Sequence, residues 1–249
     1  MKIGLCLSGG GAKGAYQAGV IKALYDRGLD FSAMSGTSIG AINGYYIFTG
    51  NVEKLEDMWT NIEINPANDI KIIDNTVDNS YVIEGLKTLE ASKEAKIDFY
   101  VNYIEIKNKN LNENVINIKN VDKSKALESV KYSSLLPCNP KATLPLGQQF
   151  MKDVSEGLYD GFNLDGGLVN NTLIQPLVEQ DLDKIIIIDT HTEYELPAEI
   201  SDKFGEDNIF IIKPKKPFEK NATLRFEKEF CKKIYNEGYE IGKNFSMHI

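Results

Sequence analysis

Apolar residues along this chain switch repeatedly between a helical and an extended period. Ile3–Leu7 is an apolar run long enough for a buried strand, and Ser8 followed by three glycines breaks it. Ala15, Ala18, Gly19, Ile21, Ala23 and Leu24 then predict a small-residue helix suited to close packing on a sheet, with Gly28 as its stop. Phe31–Ser35 reads as a second short strand, and Ala41–Phe48 as a second small-residue helix ending at Gly50. Residues 51–96 read as mainly helical: Leu55, Met58, Trp59 and Ile62 share a helical spacing, Asn65-Pro66 interrupts it, and Tyr81–Ala95 is amphipathic again. Ile97–Ile106 alternates as a strand does, with Val115–Ile118 as its expected hairpin partner across a polar loop, Lys107–Asn114. Ala126–Leu136 predicts a helix ended by Pro137, and 138–164 a loop-rich stretch with Gly147, Gly157 and Gly161. Ile185–Ile188 is the strongest strand, Ile209–Ile212 another, and Thr223–Gly242 a final charged amphipathic helix.

Strands alternating with helices predict an α/β fold, a parallel or mixed sheet with helices on both faces. No repeat, low-complexity stretch or linker divides the chain. We therefore expect a single domain over 1–249, with core motifs in 4–171 and C-terminal strands and helix in 183–245.

Charge narrows the partners. At −8 the chain lacks the basic excess of a nucleic-acid binder, and strong docking on anionic lipid is disfavoured. Cys6, Cys138 and Cys231 are odd in number and widely spaced, which suggests reduced thiols and neither a disulfide framework nor a zinc site. No calcium loop or metal cluster is apparent, so no cofactor or metal is expected. The N-terminus lacks a signal-like apolar run, and no stretch reaches the ~20 apolar residues that span a bilayer. The expected location is cytoplasmic, with any membrane contact peripheral, at the inner face. Nothing in the pattern bears on oligomeric state.

Three motifs carry the chemistry. Gly9-Gly10-Gly11-Ala12-Lys13-Gly14 lies between a strand and a helix, where glycines let backbone N–H groups crowd toward an anion at a helix N-terminus. It also satisfies GxGxxG, but the acidic residue that a dinucleotide site needs is misplaced: Asp30 precedes the second strand. Gly36-Thr37-Ser38-Ile39-Gly40 is a GxSxG nucleophile elbow in a strand-to-helix context, with flanking glycines removing side chains that would clash. Asp165-Gly166-Gly167 is alone only a turn. It gains weight because Ser38 needs a base.

Two histidines offer a triad instead. His248 is the penultimate residue, whereas His191 ends the best strand on the correct sheet edge and stays open as a partner. An α/β-hydrolase has several strands before its elbow and here one βα unit precedes it, so a Ser38–Asp165 dyad is preferred. Lys13 either strengthens the local field, binds phosphate, or is simply a solvated lysine. Leu55, Met58, Trp59, Ile62, Leu86 and Leu89 either line an acyl pocket or pack on the core; stripes of this spacing more often pack.

These motifs, in this order, resemble the patatin-like phospholipases, and in particular their short bacterial members. The oxyanion loop is similar to Gly9–Gly14 with Lys13 at its basic position, the elbow to Gly36–Gly40, and the Asp-Gly-Gly motif to Asp165, Gly166 and Gly167. Ser133-Ser134-Leu135-Leu136-Pro137 and Asn170-Asn171 also fit, with Tyr132 where the family usually has alanine. The resemblance implies a three-layer α/β/α fold with a mostly parallel sheet, and hydrolysis of lipid acyl esters by a Ser38–Asp165 dyad. The oxyanion hole would come from Gly9, Gly10, Gly11 and Gly14 with the N–H of Ile39. The rivals are an esterase or thioesterase for short soluble acyl groups, a dinucleotide-dependent oxidoreductase, and a non-enzymatic lipid or protein binding module.

Overall fold

In the computed structural model, the described residues are 1–62, 70–91 and 97–247. Asn65-Pro66, the end of the Tyr81–Ala95 stretch, and His248 lie outside them. In chain order the main elements are β1 (Ile3–Leu7), α1 (Gly14–Asp26), β2 (Ala33–Gly36), α2 (Ile39–Phe48), α3 (Glu53–Thr60), β3 (Ile72–Ile73), β4 (Thr76–Val77) and α4 (Ser80–Lys87). Then follow β5 (Asp98–Lys107), β6 (Asn110–Asn117), α5 (Lys123–Ser133), α6 (Leu146–Glu156) and β7 (Asn163–Asp165). The chain continues with α7 (Gln175–Val178), β8 (Lys184–Ile188), α8 (Ala198–Phe204), β9 (Ile209–Ile212) and α9 (Lys228–Asn244).

One seven-stranded sheet runs β6-β5-β2-β1-β8-β9, with β7 also on β5. β1, β2, β8, β9 and the start of β5 are parallel; β6 and β7 are antiparallel to β5. The register levels the strand ends: Leu7 pairs with Gly36 and Ile188, and Ile188 with Ile212. The loops after β1, β2 and β8 therefore leave from one edge of the sheet, where open α/β sheets place their sites.

Side-chain alternation makes the three layers. Leu5, Leu7, Ile186 and Ile188 face one core with α1, α2 and α9. Cys6, Ile185 and Ile187 face the other, with Leu177 of α7 and Ile200 of α8. All four isoleucines of β8 are fully buried, each contributing roughly 1.5–3 kcal/mol of hydrophobic stabilisation. Leu55, Trp59, Leu86 and Leu89 are buried in the first core, with Met58 and Ile62 packed against it. The stripe is thus core packing.

Three expectations are corrected. The Lys107–Asn114 loop is mostly strand: the turn is only Asn108-Lys109, both at positive φ (52° and 62°), the twist that a two-residue hairpin requires. Its Asn-rich strand, β6, lies at the sheet edge and has little apolar pattern to reveal it. The 138–164 stretch contains helix α6, whose buried face is half polar: Gln149 and Asp153 alternate with Phe150 and Val154. Gln149 donates to Asp153 (2.8 Å) and Asn139 to the same carboxylate (3.0 Å), so polar burial is satisfied but the apolar period is lost. Finally, residues 72–77 form a hairpin where a helical region was expected.

α1 and α9 approach at glycines. A Cβ on Gly19 would lie 2.0 Å from Tyr235 O, and one on Gly238 2.0 Å from Tyr16 O. We expect Gly238→Ala to destabilise the protein by about 1–3 kcal/mol in urea denaturation. Gly85→Ala, in α4 with nothing within 4 Å, should stabilise it by about 0.5–1 kcal/mol.

Candidate functional site

The elbow is locally strained. Ser38 has φ 55° and ψ −123°, a costly backbone for a residue with a Cβ, worth roughly 1–3 kcal/mol. Its surroundings hold it there. A Cβ on Gly36 would lie 2.7 Å from Gly40 O, and one on Gly40 2.2 Å from Leu7 O, so both positions require glycine. The Ser38 N–H donates to the buried Ser133 hydroxyl (2.9 Å), which gives the Ser133–Pro137 segment a structural reason.

Ser38 and Asp165 are 127 residues apart and meet: the serine Oγ–H donates to Asp165 Oδ2 at 2.6 Å. Asp165 ends β7 and is only 4 % exposed. Its other oxygen accepts the N–H of Gly167 (2.8 Å). Burial pushes the carboxyl up to about 6, against the opposite pull of the hydrogen bonds from Ser38 and Gly167. Gly166 packs on Asn102, where a Cβ would lie 2.6 Å from the amide, and a Cβ on Gly167 would lie 2.7 Å from Asn171 Oδ1.

Asn102 carried no signal that marked it as a site-builder, whereas Asn171 entered only through the family resemblance of Asn170-Asn171. Asn102 is fully buried; its Oδ1 accepts from Thr37 Oγ1 (2.8 Å), and its Nδ2 donates to Asn170 O (3.0 Å) and Glu113 (2.8 Å). Asn102 thus ties the elbow to the segment after Asp165. Only its place as a polar residue on the inward face of an apolar strand could have flagged it. Asn171 O accepts the N–H of Gly9 (3.1 Å).

The glycine loop touches the serine: a Cβ on Gly9 would come within 3.2 Å of Ser38 Cβ. The N–H of Gly9 is bonded to Asn171 and that of Gly14 to Gly11 O, whereas those of Gly10, Gly11 and Ile39 take no hydrogen bond among the described residues. Gly11 sits at φ +57°, and a Cβ there would meet Thr223 O at 2.1 Å.

Lys13 is not a solvated lysine. It is 7 % exposed, and its Nζ lies 2.7 Å from His191 Nε2. Burial lowers its pKa, opposed by the charges of Asp189 and Glu193. His191 Nδ1 faces Asp189 Oδ1 at 3.1 Å, so its ring bonds Lys13 and Asp189 while the Ser38 hydroxyl bonds Asp165. Among the described residues no three His, Cys, Asp or Glu side chains are placed to hold a metal ion, and no helix is long and apolar enough to cross a membrane.

Comparison with known proteins bears on this geometry. Over 42 residues the chain is 57% identical to lysophospholipase nte1 of Aspergillus terreus, covering 17% of this chain and 3% of that protein. Over 63 residues it is 44% identical to a patatin-like phospholipase domain-containing protein of Caenorhabditis elegans, covering 24% of this chain and 5% of that one. The chain therefore spans a small fraction of the length of these relatives. Among solved structures, VipD from Legionella pneumophila aligns over 96% of this chain and 66% of its own, with a TM-score of 0.44 at 12% identity. The sequence profile described as patatin-like phospholipase matches residues 5–134, which include the glycine loop, the elbow and Ser133. That match spans just over half of the 249 residues, and the chain belongs to the patatin-like phospholipase family.

Proposed function

We propose that this chain is a serine acyl-hydrolase that cleaves fatty-acyl esters of lipids or phospholipids through a Ser38–Asp165 dyad and an acyl-enzyme intermediate. The observation that carries the reading is the 2.6 Å hydrogen bond from the Ser38 hydroxyl to a buried carboxylate. Family membership supports the substrate class, as do relatives named lysophospholipases.

Ser38 Oγ gives its proton to Asp165 as it attacks the ester carbonyl, forming a tetrahedral intermediate. Collapse expels the alcohol or lysolipid, which takes that proton. Asp165 then accepts a proton from water, whose oxygen attacks the acyl-enzyme; the fatty acid leaves and Ser38 regains its hydrogen. The oxyanion is stabilised by the free amides of Gly10 and Gly11, with that of Ile39. Gly9 and Gly14 shape the loop and do not donate, because their N–H groups are already bonded. Contact with the lipid surface is peripheral and the site of action is cytoplasmic. With a net charge of −8, that contact does not depend on attraction to anionic headgroups.

The first test is hydrolysis of p-nitrophenyl esters of increasing chain length. Ser38→Ala and Asp165→Asn should each lose at least about 10³-fold in kcat, with the wild-type rate rising toward long acyl groups. A maximum at short soluble esters would favour the esterase or thioesterase reading. Because Asp165 must be ionised to accept the proton, kcat/KM should rise with pH through a limb near 6; a limb near 4 would contradict its role.

The same shift has a stability consequence. Folding raises the Asp165 pKa from 3.8 to about 6, so its acid form is favoured in the fold. That stabilisation is complete below the unfolded value and is lost as pH rises through the folded one. Asp165→Asn should therefore gain on wild type by about 2–3 kcal/mol between pH 4 and 7 in denaturant titrations. An unchanged difference across that range would show that burial does not penalise the carboxylate.

A further inference from the structure

Asp189, Thr190 and His191 follow β8 directly, at the same sheet edge as the glycine loop, and take no part in the Ser38–Asp165 contact. Thr190 and His191 bond to that loop instead. The Thr190 N–H donates to Ser8 Oγ (3.1 Å), and Thr190 Oγ1 donates to Gly9 O (2.7 Å). His191 Nε2 meets Lys13 Nζ at 2.7 Å. Behind them Asp189, 1 % exposed, accepts from the His191 N–H (2.7 Å) and from Thr172 Oγ1 (2.9 Å), and its Oδ1 faces His191 Nδ1. The neutral Nδ1–H tautomer satisfies both ring contacts, giving Nδ1–H to Asp189 and taking a hydrogen from the Lys13 ammonium. Loop and segment also pack together: a Cβ on Gly10 would lie 2.5 Å from Thr190 Oγ1.

We infer that the Asp189-Thr190-His191 segment is a strap that fixes the glycine loop with its Gly10 and Gly11 amides free, which makes Thr190 and His191 positioning residues for the reaction. Three consecutive glycines carry no side chains with which to hold their own conformation, so the constraint must come from outside the loop. Amides stabilise an oxyanion only when they are already in place. Thr190 clamps the start of the loop at Ser8 and Gly9. His191 and Asp189 clamp its end through Lys13 and offset the cost of burying that ammonium. The kinetic consequence rests on the acyl-hydrolase reading; the strap contacts themselves do not.

The test combines ester kinetics with the rate at which acetic anhydride modifies Lys13, followed by peptide mass spectrometry. His191→Ala should lower kcat by about 10- to 100-fold with KM changed less than about twofold, as a misplaced catalytic group does. His191→Gln, whose amide oxygen can accept from Lys13, should recover most of that loss. Thr190→Val should fall similarly, and Thr190→Ser should stay near wild type. Lys13 acetylation, slow in wild type, should accelerate at least about tenfold in His191→Ala as the buried amine becomes accessible. A wild-type kcat in His191→Ala, or unchanged Lys13 reactivity, overturns the strap. So does a His191→Ala as inactive as Ser38→Ala and not rescued by Gln, which would make His191 the base. A wild type without esterase activity overturns the acyl-hydrolase reading instead, and the Lys13 rates then decide the strap on their own.

Discussion

Everything at this site depends on two strands that run toward each other along one edge of a third. β2 lies parallel to β5 and ends with Gly36 opposite Val101; β7 lies antiparallel and ends with Asp165 opposite Tyr103. The gap between their ends is Asn102. Its buried amide bonds Thr37 and the Asn170 carbonyl and packs on Gly166, so the elbow and the segment after the carboxylate are fixed from one point. A sheet with β5 displaced by one residue would turn Asn102 to the opposite face and break the bonds by which it ties Thr37 to Asn170. The 2.6 Å hydrogen bond is thus a consequence of strand register before it is a property of two side chains.

The helical layer supports the same edge through a buried polar chain. Gln17, fully buried in α1, donates to the carbonyl of Ser8, just past β1, and to that of Ile188 at the end of β8, which also accepts the Ser8 N–H. Its own oxygen accepts from Asn43 of α2, and Asn43 accepts from Trp59 of α3 (2.9 Å). Every link is satisfied, so the network adds rigidity without the penalty of an unpaired polar group. Ser38 can then hold its strained φ, and Asp165 its desolvated carboxyl, because the surrounding fold over-determines both.

What the sequence revealed follows from which signals were local. Strand β8, with four isoleucines, and helices α1 and α2 are legible because apolar and small residues fill nearly all of their buried positions, Gln17 and Asn43 being the polar exceptions. The glycine loop and GxSxG elbow are legible because their spacing is itself the constraint: glycine is required wherever a Cβ would strike backbone. Helix α6 was missed because hydrogen-bonded polar residues occupy half of its buried face, and the first part of β6, ahead of the expected Val115–Ile118 pairing, reads as loop because its Asn-rich residues are largely exposed. Asn102 and the strap contacts of Thr190 and His191 were not legible at all. They depend on which strands lie side by side, and spacing along the chain does not encode that. His191 was visible as a candidate, but only its geometry separates a proton acceptor for Ser38 from a partner for Lys13.

The most direct measurement is covalent labelling of the protein with a fluorophosphonate, with peptide mapping of the adduct and its rate followed from pH 4 to 9. The account predicts one adduct, on Ser38, forming at a rate that rises through a midpoint near 6 and that falls at least about 10²-fold in Asp165→Asn. An adduct on another residue, or a Ser38 labelling rate unchanged by Asp165→Asn, would contradict it.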